Sequence, residues 1–149
     1  MEDAPSSRAR TLGLLVIIAG VLFVVAGVVT YVVVGSTLSD QKITVSDDAA
    51  AFGGQHVDQP WEAYAQANVI GKHADEIAGG KTYAELAQDD PNRPVAMTAS
   101  FLQASLFTSV VAYGVAAMAA AMGLLFILIG LGMRDVAATR ISEPRSAEA

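Results

Sequence analysis

The chain has 149 residues, 53% of them hydrophobic and only 16% charged, with a net charge of −6 and no cysteine. The absent cysteine excludes disulfide stapling, thiol catalysis, thiolate zinc sites and iron–sulfur clusters. All of the net negative charge lies between residues 39 and 96, where ten acids face four bases; the two ends of the chain each sum to zero. An acidic stretch of this kind repels phosphate backbones, so no nucleic acid is expected as a partner.

Residues 1–11 read as a polar N-terminal tail carrying Arg8 and Arg10. The run from Leu12 to Leu38 holds 27 residues without a charge. A hydrocarbon core of roughly 30 Å needs about 20 helical residues, so residues 12–38 are predicted to be a first transmembrane helix. Its β-branched content would suit a strand, but strands are shorter, and lipid forces backbone groups to pair within the segment. The run is far longer than a signal-peptide core and is not followed by an A-x-A site, so an uncleaved anchor is expected.

Residues 39–96 are predicted to be an acidic extracytoplasmic loop with local order. Ile43-Thr44-Val45 reads as a short extended piece, and Asp47-Asp48 before AAAF as a turn closed by Gly53-Gly54. Asp58 or Gln59 can cap a helix that Pro60 opens, with Glu62 in its first turn and Gly79-Gly80 as its stop. Thr82-x-x-Glu85 is a capping-box pattern that predicts a second short helix to about Gln88. On the first loop helix, Trp61, Tyr64, Ala65 and Asn68 share one face, and Ala63, Ala67, Ile70, Ala74 and Ile77 another. Trp61 and Tyr64 are expected to pack on the second loop helix, ahead of facing the membrane surface or a partner.

The stretch from Val95 to Met133 is uncharged over 39 residues, more than a membrane needs. It predicts a long helix over 97–133 whose membrane part begins near Leu106 and stops at Arg134. Residues 134–149 read as a disordered cytoplasmic tail. Arg8, Arg10, Arg134 and Arg140 flank the outer ends of the two spans, which places both termini in the cytoplasm. The expected fold is therefore an all-α, antiparallel two-helix transmembrane hairpin with a small helical extracytoplasmic loop domain, in the cell membrane.

In lipid, apolar burial does not drive helix pairing, and small residues mark close approach. The first span carries Gly13, Gly20 and Gly27 at steps of seven; the second carries Ser109, Ala112, Ala116, Ala119 and Gly123 at steps of four and three. These are the candidate packing residues, for a left-handed antiparallel pair or for contact with a second copy or a larger membrane protein. Neither span contains a charged residue, histidine, asparagine or glutamine in its core, which argues against an ion pathway through this chain alone.

Two histidines and one carboxylate form the ligand set of a non-haem iron site, which makes His56, His73 and Glu76 the metal candidates. His73 and Glu76 share a helix face, while His56 precedes the helix. The plainer alternative is a solvated histidine on an acidic helix. No phosphate-cradling glycine loop and no G-x-S-x-G elbow is present. No cofactor or catalytic residue is assigned.

The runs QKITVSDDA (41–49), AYAQANVIGKHA (63–74), GGKTYAELAQDDPNR (79–93) and MTASFLQASLFTSVVAYGVAAM (97–118) resemble a group of small, uncharacterised actinobacterial two-span membrane proteins. Members often carry the description aromatic ring-opening dioxygenase, after the small subunit of a soluble protocatechuate-type enzyme. The resemblance implies two-span topology and a bacterial source. It carries no catalytic residue across, because this chain matches that soluble subunit in neither layout nor motif. The expected function is a non-catalytic accessory or scaffolding subunit of a cell-envelope complex. The alternative is a metal-dependent, dioxygenase-like enzyme or metal sensor; a transporter subunit is a third possibility.

Overall fold

A computed structural model describes residues 4–139 of the chain; expectations for residues 1–3 and 140–149 lie outside the described residues. Among the described residues the protein is all-helical: α1 spans Ala4–Asp40, α2 Pro60–Ile77 and α3 Arg93–Thr139. α1 and α3 are each long and apolar enough to cross a membrane. Both outrun the uncharged blocks, because helix formation continues through alanine, arginine and other good formers without regard to polarity. α3 starts at Arg93, before the expected residue 97, because Pro94 falls in the first turn, where its missing N–H costs nothing. It also runs beyond Met133 to Thr139.

The chain divides into two units, residues Met1–Val29 with Ala116–Ala149, and Thr30–Val115. In the first, the helical pair, α1 and α3 lie antiparallel at contact distance of their backbones. A Cβ placed on Gly20 would stand 2.6 Å from the Gly123 carbonyl oxygen, and one on Gly27 would stand 2.5 Å from that of Ala116. One on Gly13 would stand 2.8 Å from that of Gly130. As the number rises by seven on α1 it falls by seven on α3, the register of a left-handed pair. Phe23 and Phe126 add an edge-on ring contact at 5.7 Å. Ala120 also meets Gly27, and Ala119 is half-buried. The remaining surface is apolar on all sides, with Leu22 and Leu128 each 64% exposed.

The second unit, the cap, comprises α2, its flanking turns, and the adjoining ends of α1 and α3. Its core is Leu38, Val45, Val57, Ala63, Ala67, Leu106 and Tyr113. Val45 and Val57 reach it through a minimal antiparallel pairing. The Val45 N–H donates to Gln55 O and the Val57 N–H to Ile43 O, both at 2.9 Å, with a bridge between Thr44 and His56. Pro60 opens α2, and the buried Glu62 carboxylate accepts from the backbone N–H groups of Asp58 (3.1 Å) and Gln59 (3.0 Å). α2 ends where Gly79 and Gly80 take positive φ, and the Gly80 N–H returns to Asp75 O at 2.8 Å.

The second loop helix does not form. Glu85 Oε2 accepts from both Thr82 N–H (2.8 Å) and Thr82 Oγ1 (2.7 Å), but only one turn follows. The carbonyls of Tyr83 and Leu86 are taken by the Arg93 guanidinium, whose carbon stands 4.2 Å over the Tyr83 ring. Asp89-Asp90-Pro91 then ends the run before propagation can offset nucleation.

Candidate functional site

α2 sorts its side chains by helical period. Ala63 and Ala67 are fully buried in the cap core. Trp61, Tyr64, Ala65, Asn68 and Lys72 fall on another face. Trp61 and Tyr64 do not pack on a second loop helix; they are 49% and 54% exposed. With no helix over 82–88 to cover them, they remain on the outside of the cap.

There they wall a groove of about 710 Å³. Phe52, Ala50 and Ala51 of the turn after Asp48 form the opposite side, and Val110 of α3 contributes to the lining. Phe52 is held in the left-handed region at φ 63°, a position that costs a bulky residue energy and that the turn imposes. Tyr64 also meets Phe107 at 5.8 Å between ring centroids. The polar members of the lining are Asp48, Asn68 and Lys72.

Asp48 ties the turn to α2. Its Oδ2 lies 2.7 Å from His73 Nε2 and 3.5 Å from Lys72 Nζ, and Lys72 also stands 3.9 Å from Glu76. The hydrogen bond to His73, with the charge of Lys72 adding to it, holds the Asp48 carboxyl below the usual carboxylate range. Glu85 is held low likewise, by the Thr82 N–H and hydroxyl.

A second, polar pocket of about 360 Å³ adjoins this stripe and shares Asn68 and Lys72 with the groove. Its other walls include Gly71, Asp75, Lys81, Thr82, Tyr83, Ser100 and Gln103. At Gly71 the Gln103 amide lies where a Cβ would stand, so a side chain there would displace that flexible amide.

The metal candidates take separate places. His73 is engaged by Asp48, while His56 sits in the bridge with Thr44. Among the described residues no group of three or more His, Cys, Asp or Glu side chains is placed to hold a metal ion. Of the small-residue stripe, Gly13, Gly20, Gly27, Ala116 and Gly123 meet across the helical pair. Ser109 and Ala112 instead line a cavity in the cap with Val34 and Leu38. The groove residues Phe52, Lys72 and Val110 carry no local sequence signal; only the Trp61–Tyr64–Asn68 face was readable.

No protein-family model matches the chain, and no curated protein or solved structure is similar to it.

Proposed function

We propose that this chain is an integral protein of the cell membrane that crosses it twice, with both termini in the cytoplasm and residues 39–96 outside, and that it serves as a non-catalytic accessory or scaffolding subunit of an envelope complex. One observation carries the membrane reading. Only 17% of the most apolar window of each long helix is buried within the protein. The core helix of a water-soluble protein is mostly buried, whereas a helix apolar on all sides and uncovered needs a lipid surround. The 27 uncharged residues of α1 rise about 40 Å, enough to span roughly 30 Å of hydrocarbon with tilt. The arginines at 8, 10, 134 and 140 support the orientation. The accessory role is supported by the span interior, which is closed by glycine-to-backbone contact rather than lined by polar groups, and by the cap with its open aromatic groove.

Because the chain has no cysteine, single-cysteine labelling tests the topology without background. A cysteine at Gln88 should react with an impermeant maleimide on intact cells, and one at Ser146 only after permeabilisation. The reverse pattern would overturn the orientation, and release of the protein by alkaline carbonate would overturn the membrane reading. Purification in mild detergent should recover a reproducible partner or a homo-oligomer. A lone monomer in every preparation would sink the accessory role.

A further inference from the structure

The groove and the polar pocket are neighbours of opposite character on one helix face. The groove is apolar and aromatic except at its Asp48–Lys72 end; the pocket beyond Asn68 and Lys72 offers hydroxyls, amides and charges. Their volumes, about 710 and 360 Å³, lie in the range of small-molecule sites, roughly 300–1,000 Å³. Such a pairing fits an amphiphile. The charges narrow the choice. In a loop with ten acids and four bases, the two cavities together present two of each: Asp48 and Asp75, Lys72 and Lys81. A balanced rim of this kind matches a headgroup bearing both a phosphate and an amine better than an anionic one.

The level of the groove points to the source. Asp58 and Gln59, just ahead of Trp61, are pinned by the hydroxyls of Tyr113 (2.5 Å) and Tyr31 (2.9 Å). In the proposed topology residues 39–96 lie outside, and Trp61 and Tyr64, residue types favoured at a membrane–water interface, wall the groove on that side. Val110 leads to Val111 and Val115, which are 64% and 53% exposed and continue the apolar surface along α3.

We propose that the groove and pocket together hold one zwitterionic phospholipid of the outer leaflet. One acyl chain lies along Phe52, Trp61, Tyr64 and Val110; the phosphate is met by Lys72 and Lys81, and the amine by Asp75. The proposal rests on the membrane reading above.

Trp61 is the only tryptophan of the chain, so its fluorescence reports the groove alone. The full-length protein is reconstituted in vesicles, and insertion is checked by flotation and carbonate resistance; failure there sinks the membrane reading, and this proposal with it. With insertion shown, phosphatidylethanolamine brominated on its acyl chains should quench Trp61 about threefold more steeply than brominated phosphatidylglycerol at equal mole fraction, the scale of one screened ion pair. Asp75→Asn, which removes the partner of the amine that only the ethanolamine lipid carries, should abolish that preference, and Ala65→Phe, which fills the groove, should reduce quenching by both lipids. Equal quenching of the inserted wild type by the two lipids would overturn the proposal. So would quenching by aqueous iodide as complete as for free tryptophan. Both of these readings use the wild type alone, so they stand even if a variant fails to fold.

Discussion

The helical pair and the cap are built on the same two helices and held by opposite means. Below Val29 and beyond Ala116, α1 and α3 meet through missing side chains: Gly20 and Gly123 each place backbone against backbone. Between Thr30 and Val115 the same helices carry large polar-tipped side chains. Tyr113 is 1% exposed and packs at 4.6 Å on Tyr31, and each ring donates a hydrogen bond into the segment before α2. On the proposed membrane reading, the contrast follows from solvent. In an apolar surround, burying more apolar surface gains nothing and close approach is what remains. In a cap that meets water, an apolar core and satisfied polar groups both stabilise.

The strongest way to break this division is Tyr113→Ala. It removes a fully buried ring and the donor to the Asp58 carbonyl, at a cost of about 3–5 kcal/mol. Unfolding in mixed micelles should show that loss, with faster amide exchange in α2 and a red-shifted Trp61 emission. Tyr113→Phe keeps the ring and should cost only about 1 kcal/mol, the hydroxyl's share. Gly20→Leu attacks the other unit. Its Cβ alone would fall within 3 Å of Gly123 O and of Ile127 Cγ1, and overpacking of this kind costs about 1–3 kcal/mol. The informative result is selectivity: Gly20→Leu should weaken the helical pair while α2 exchange and Trp61 emission stay at wild-type values. Cap disruption by Gly20→Leu equal to that by Tyr113→Ala would mean that the two regions are one cooperative body.

Next in size is Glu62→Ala. The carboxylate is 7% exposed and holds the N–H groups of Asp58 and Gln59, the two residues that the tyrosines also grip. Losing it leaves two partly buried donors without that acceptor, at about 1–2 kcal/mol. Faster exchange confined to residues 57–63 is the expected signature.

The sequence told most where one physical rule governs a long stretch. Uncharged blocks of 27 and 39 residues left helix as the only economical reading of α1 and α3. Pro60 and Gly79-Gly80 bracket α2. It told least where the outcome depends on distant partners. The Thr82–Glu85 box forms, yet Arg93 takes the carbonyls a helix would need. Without that helix, Trp61 and Tyr64 wall a groove instead of a core. The partner of His73 is Asp48, 25 residues away in sequence, and nothing local to either residue announces the pairing.

That pair gives the smallest effect and the finest probe of the cap. Asp48 has a carboxyl whose pKa is lowered from an ordinary 3.8, chiefly by the His73 hydrogen bond. For an acid held low in the folded state, the stabilising contribution is present above the unfolded value and is lost as pH falls through the folded one. The tie between the 47–52 turn and α2 should therefore hold through the mildly acidic range and loosen only below about pH 3.8. Both partners are largely solvent-exposed, so global stability should scarcely change; the readout is local. Nuclear magnetic resonance of the His73 ring in detergent should show the Asp48-bonded environment at neutral pH and its loss in Asp48→Asn. If the turn loosened near pH 6 in the wild type, the carboxyl of Asp48 would not be what titrates, and the tie between the turn and α2 would have to be assigned to another group.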